Sequence, residues 1–309
     1  MTAAGGQRLP PPRPLSVLLW RRFREHRLAV ASAWVLIGLT LLSGFAPVIA
    51  TATGIDAGEV DLYNRFAGPS FSHALGTDEL GRDLFIRLLY GGRVSLFVGF
   101  AAALASALIG TAIGLFAGYY GGRLDAFLMR LTDGVIALPL LPLLIVLAAV
   151  DLAKLGLPEA LIQSEDVSLY RIMVIISVVG WTTVARLVRG ATLSVRERDF
   201  VLAAVAQGAG GVRIVATHIL PNVVSPIIVA TTLSVGNVIL FESVLSFLGL
   251  GIQPPIPSWG NMLSNAQELI WTAPSLAFYS GMLIFVTVIA FNFLGDGLQD
   301  ALDPRAVRR

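Results

Sequence analysis

Cysteine is absent from the 309-residue chain, which excludes a disulfide framework, a cysteine-based zinc site and a cysteine nucleophile. Charge is scarce as well: 14% of residues are Asp, Glu, Lys or Arg, against about 25% in soluble domains. With 55% hydrophobic residues, that depletion excludes a disordered, fibrous or ordinary cytosolic protein and points to lipid as the main solvent. There is a single lysine, Lys154, and no Gly-x-x-x-x-Gly-Lys-[Ser/Thr] run, so the chain supplies no phosphate-loop lysine of its own. The three histidines His26, His73 and His218 are scattered without metal-ligand spacing. A net charge of +2 gives no case for nucleic acid as a partner.

What the chain does have is long runs without charge. A helix needs about 20 apolar residues to cross roughly 30 Å of hydrocarbon. Nothing is charged between Arg27 and Asp56, Arg93 and Arg123, Arg213 and Glu242, or Glu268 and Asp296. Two further segments carry charges only near their ends, where side chains snorkel to the headgroups: Ala126 to Val150, and Val167 to Val188. The expectation is six spans, over 28–50, 94–118, 126–150, 170–189, 223–248 and 275–296. A loop is expected over 51–93, a proline-rich arm at the start of the 1–27 segment, a five-helix core over 94–300 and a short tail over 301–309. A cleaved signal peptide is the rival reading of the first span, with Ala50-Thr51-Ala52 as its cleavage site. The uncharged run exceeds the ~7–15 residues of a typical signal-peptide core.

Basic residues near helix ends stay on the cytoplasmic side. With the N-terminus inside, the inside segments hold 16 of the 22 basic residues, and the outside segments hold six basic against eleven acidic residues. Six spans also return the C-terminus to the inside.

The longest inside connection, 190–222, contains RERDFVLAAVAQGAGGVRIVATHILPN. Phe200, Val201, Ala204, Val205 and Gly208 fall on one stripe of a short helix. Gly208, Gly210 and Gly211 then break it, and Pro221 stops the next apolar run before the fifth span. An apolar face outside the membrane implies a docking partner. This stretch resembles the coupling loop of bacterial ABC importer permeases. Ala203, Ala204, Gly208, Leu220 and Pro221 match that family's pattern at its spacing, and Leu202 stands where an acid is usual.

Three more stretches resemble the dipeptide/oligopeptide/nickel branch, specifically its second permease subunit. They are HALGTDELGRDLFIRLLYGGRVSLFVG from His73, DAFLMRLTDGVIALP from Asp125, and ESVLSFLGLGIQPPIPSWGNML from Glu242. The resemblance implies an all-α integral membrane protein with a type I ABC importer (MetI-like) permease core. It also implies a pseudo-twofold heterodimer with a homologous permease, two cytoplasmic ATPases that bind ATP and Mg, and an extracytoplasmic solute-binding lipoprotein. The cargo would be peptides, with nickel or another small solute as the alternative, and the chain itself would be no enzyme.

The residues themselves allow simpler roles. Gly76, Gly81, Gly91 and Gly92 among Thr77, Asp78, Arg82 and Asp83 fit turns and caps opening the second span. Asp125, Arg130 and Asp133 are spaced to pair along one helix. Pro139 and Pro142 weaken the third span, either at a translocation path or for packing. Asn237 is a further path candidate. Glu242 is the one acid deep in an uncharged run, where insertion costs about 2.5–3.5 kcal/mol. Hydrogen bonding to the following loop, lining of a path, and proton coupling are its open roles. Gly249, Gly251, Pro254, Pro255, Pro257 and Trp259 predict a rigid outer loop, either a lid or a surface for the binding protein. A secondary transporter would need coupling charges within the spans or an inverted repeat, and a membrane enzyme would need a catalytic cluster. The sequence displays none of these.

Overall fold

The computed structural model describes residues 15–156, 158–264 and 266–302. The arm expected over 1–14 and most of the expected tail lie outside the described residues. Among those described, the only extended pairing is an isolated bridge between Thr77 and Asp83, and the rest is helix and loop. The helices run α1 (Leu15–Glu25), α2 (Arg27–Gly44), α3 (Ala46–Thr53), α4 (Leu84–Tyr120), α5 (Gly122–Ala137), α6 (Leu140–Ala148) and α7 (Glu159–Ile162). They continue with α8 (Val167–Arg196), α9 (Asp199–Ala206), α10 (Gly211–Ile214), α11 (Leu220–Phe247), α12 (Ala266–Leu269) and α13 (Pro274–Leu302).

Among the described residues five helices are long and apolar enough to cross a membrane: α2, α4, α8, α13 and the continuous run of α10 into α11. The sixth expected span, 126–150, is broken into α5 and α6, which meet at 87°. Pro139 forces this break by excluding the residue before it from helical geometry, and Leu138 is extended at φ −82°, ψ 138°. The second span starts ten residues earlier than expected, because Asp83 caps α4 by accepting the Ile86 N–H at 2.8 Å. Pro221 does not stop a helix. It sits in the first turn of α11, and a π turn at Val215–Ile219 just before it absorbs the missing N–H.

Contacts at the helix ends sort the bundle into two faces. At one face Trp259 Nε1 donates to Leu88 O on α4 at 2.9 Å, and Gln253 N donates to Ser168 Oγ on α8 at 3.2 Å. At the other, Arg189 of α8 binds Asp125 of α5, Arg196 Nη1 donates to Gly118 O on α4 at 2.9 Å, and His26 lies 3.9 Å from Asp300. α4 and α8 therefore run parallel, with the broken α5–α6 segment carrying the chain back between them, and α9 lies at the opposite face from the 249–264 loop.

The most extensive packing in the bundle is between α4 and α8. Gly110, Gly114 and Gly118 recur every four residues and form a smooth groove on α4. A Cβ on Gly114 would lie 2.6 Å from Ala185 O and 2.8 Å from Val188 Cβ, and one on Gly118 would lie 2.7 Å from Thr192 Cβ. In lipid, where no hydrophobic effect drives helices together, such backbone contact is the main source of association. Gly114→Ala should therefore lower stability in detergent by about 1–3 kcal/mol, the usual cost of overpacking. Gly134→Ala should not, since nothing lies within 4 Å of its Cβ position. Equal thermal melting of the two purified variants would contradict this account of the packing.

Candidate functional site

Three regions hold the site residues expected from the sequence. The first is a cavity of about 560 Å³ between α4, α5, α6, α8 and α11, with Gln299 of α13 at its edge. Its wall is mostly apolar: Leu138, Leu140, Leu144, Val229, Leu233 and Phe241 contribute. Ser106, Thr182, Thr183, Ser234, Asn237 and Gln299 supply the polar side chains. Asn237 is thus brought to the cavity. Pro139 is not part of the wall, but the break it makes exposes Leu138 and Leu140 there.

The second region is the surround of Glu242, which is fully buried and does not line the cavity. Ser246 Oγ donates to its Oε1 at 2.8 Å and Ser95 Oγ donates to its Oε2 at 3.2 Å, with Ser243 Oγ at 3.5 Å. Each of the two nearer serines in turn accepts a backbone N–H of the outer loop, Ser246 from Ile252 at 3.0 Å and Ser95 from Trp259 at 3.1 Å. One carboxylate thereby fixes two hydroxyls, and these two hydroxyls hold the loop. Trp259 seats its ring against α4, where a Cβ on Gly92 would lie 2.7 Å from Trp259 Cζ2. Gly91 and Gly92 consequently sit inside α4 and admit the ring, in place of the turn role expected for them. Gly76 and Gly81 do occupy turns, at φ +84° and +75°.

The third region is the 197–221 segment. Val201 and Ala204 are buried, together with Ile214, Ile219 and Val223, against Leu115, Val184 and Val188. Phe200, Leu202 and Val205 are exposed, at 45%, 54% and 51%, as is Ala203. The single stripe expected from sequence is therefore two faces, one fastened to the bundle and one offered outward. Gly208 closes α9 in the left-handed conformation, φ +79°. The N–H of Ala209 donates to Ala204 O at 3.1 Å and that of Gly208 to Val205 O at 2.9 Å, the pair of bonds that a Schellman cap makes. Leu220 is half-buried and Pro221 exposed where α11 begins.

Charges at this face pair between helices. Asp125 accepts from Arg189 Nη2 at 2.6 Å, and Asp133 pairs with Arg186, so neither uses Arg130 as the spacing implied. The reason is geometric: α5 packs beside α8, which places the guanidinium groups of Arg186 and Arg189 against these carboxylates. Ser95, Ser246 and the cavity threonines were not singled out from sequence. Ser243 and Ser246 lie at i+1 and i+4 from Glu242, which is a local signal, but Ser95 is 147 residues away and leaves none.

Comparison with known proteins places this geometry. The family model for the binding-protein-dependent transport system inner membrane component matches residues 110–308, and that for the N-terminal TM domain of oligopeptide transport permease C matches 15–69. The dipeptide transport system permease protein DppC of Alkalihalophilus pseudofirmus is 40% identical, covering 96% of this chain and 94% of its own. The oligopeptide transport system permease protein OppC of Bacillus subtilis is 37% identical, covering 94% and 91%. A glutathione transport system permease protein GsiD of Escherichia coli is 41% identical, covering 93% and 89%. A chain of the inward facing MetNI methionine ABC transporter superimposes with a TM-score of 0.55 at 19% identity, over 73% of this chain and 97% of that one. The all-helical bundle has the type I importer permease fold, and the chain belongs to the binding-protein-dependent transport system inner membrane components, a family of multi-pass membrane permeases.

Proposed function

We propose that this chain is one half of the membrane channel of an ATP-driven peptide importer, and that it passes peptides by alternating access. The observation that carries the reading is the two-faced α9. Its inner face is packed on α8 and α11, and its outer face presents Phe200, Leu202, Ala203 and Val205. An apolar patch of this kind beyond the spans is accounted for by a docked partner. The relatives' names, which specify dipeptide, oligopeptide and glutathione transport, favour a peptide as cargo over nickel.

In this reading a homologous permease completes the path, two cytoplasmic ATPases bind ATP and Mg, and an extracytoplasmic lipoprotein delivers the peptide. The chain itself holds no cofactor and hydrolyses nothing. Both termini and α9 face the cytoplasm, in keeping with the arginines concentrated there. ATP binding differs in affinity between inward and outward states, and α9 carries that difference to the bundle.

Gly208 and Glu242 then have distinct mechanical roles. Gly208 shapes the end of α9 through its backbone alone, since nothing lies within 4 Å of its Cβ position. A branched residue in the left-handed conformation costs about 1–2 kcal/mol, and asparagine costs less. Peptide uptake by the reconstituted complex should fall in the order Gly208, Gly208→Asn, Gly208→Val, by about tenfold at the last step, with the ATPases still co-purifying. Undiminished uptake in Gly208→Val would remove this loop from the coupling path.

Glu242 acts as an acceptor that organises the outer loop. Glu242→Gln keeps one carbonyl oxygen and the side-chain shape, so transport should persist within about threefold. Glu242→Leu strands the hydroxyls of Ser95 and Ser246, and unpaired buried groups cost about 1–3 kcal/mol each. Limited proteolysis should then cut the 249–264 loop faster than in the parent. A dead Gln variant with an intact loop would assign the charge itself a role.

A further inference from the structure

Asn237 stands midway along α11, exposed to the cavity, and its carboxamide has no hydrogen-bond partner among the described residues. Its neighbours on the wall are differently placed. Ser234 Oγ donates to Ala230 O at 2.7 Å and Ser106 Oγ to Ser177 O at 3.4 Å, so those protons are engaged within the bundle. An amide left open at membrane depth is tolerated only where water, a solute or another chain meets it, and Asn237 opens onto the cavity. On α8, Thr183 is a further exposed polar residue of the wall. None of the residues lining this cavity carries a charge, and Glu242, little more than one turn further along α11, is turned away into its serine shell.

A carboxamide offers two N–H donors and one carbonyl acceptor, the same functional groups as a peptide bond. We propose that Asn237 hydrogen-bonds the backbone amide of the passing peptide, and that the neutral wall around it makes this half of the path indifferent to the charge of the peptide's side chains. Selection by side chain is thereby left to the protein that delivers the cargo. This inference rests on the reading of the chain as a peptide permease and adds to it a residue and a rule of selectivity.

The rule is tested by introducing a charge. The complete complex, with its partner permease, ATPases and binding protein, is reconstituted in liposomes. Uptake of an acidic, a neutral and a basic tripeptide is measured at saturating binding protein for the parent, Asn237→Asp, Asn237→Leu and Thr183→Asp. Expressing each rate relative to the parent cancels the preference of the binding protein. Asn237→Asp and Thr183→Asp should each lower acidic relative to basic uptake by about tenfold, the factor that 1.4 kcal/mol of repulsion produces. Asn237→Leu should slow all three equally while nucleotide hydrolysis continues.

Equal effects of Asn237→Asp on all three peptides, or unchanged uptake with Asn237→Leu, would overturn the proposal. So would a crosslink showing Asn237 bonded to the partner permease. If the Asp variant at 237 does not assemble, the same ratio read from Thr183→Asp decides. If the parent carries no tripeptide but does carry another solute, the peptide reading fails. The charge rule is then read from acidic and basic members of that solute class.

Discussion

The bundle depends on the backbone contact between α4 and α8. With Gly110, Gly114 and Gly118 facing Val184, Ala185, Val188 and Thr192, the two helices lie close enough that side chains on one meet carbonyl oxygens on the other. That distance lets Arg196 reach Gly118 O from α8, which fixes the end of α8 against the end of α4. It also brings Arg186 and Arg189 to α5, so three helices are tied at one face by charges that elsewhere in the bilayer would be costly. Hydrophobicity alone distinguishes protein from water, and among lipid tails it does not distinguish a helix from its neighbours. Small residues at a fixed interval supply that distinction here.

The two faces of the bundle are rigid for different reasons. On one, a buried carboxylate orders serines that order a loop; Gly91 and Gly92 then leave room for Trp259 against α4. On the other, a left-handed glycine and a pair of capping hydrogen bonds end α9, and a π turn joins the next segment to α11. The cavity lies between these fixed ends, where the α5–α6 break leaves the wall without a continuous helix. A bundle firm at both faces and discontinuous in the middle is suited to rocking as a body around its contents.

The spans were legible in the sequence because charge depletion over about 20 residues has few explanations other than lipid. The break at Pro139 was legible as a weakness but not as an angle of 87°, since the bend depends on what α5 and α6 pack against. Expected pairs within α5 gave way to pairs with α8, because spacing along one helix says nothing of an arginine arriving from another. The burial of Glu242 was readable from its isolation. Its partners were only half readable, as Ser246 is local and Ser95 is on α4. On α9 the apolar residues were legible and their division into two faces was not. The stripe read from the spacing joined buried and exposed residues on a helix that is apolar nearly all round, and only the packing of Val201 and Ala204 on the bundle reveals which side remains free.

In the proposed reading, where the ATPases dock on α9, that division decides how a force there reaches the cavity. Val201 and Ala204 share a cluster with Val184 and Val188 of α8 and with Ile219 and Val223 at the start of α11. Both of those helices line the cavity, α8 through Thr182, Thr183 and Leu187 and α11 through residues from Val229 to Phe241. Close-packed interiors transmit displacement instead of absorbing it. A push on the exposed face of α9 would then reach the walls that both helices form, and the connection to α11, capped at Gly208 and helical through α10 and the π turn, has little slack to take up the strain. An arrangement in which α9 rested on only one of the two helices would shear the cavity. Resting on both, it can open or close it.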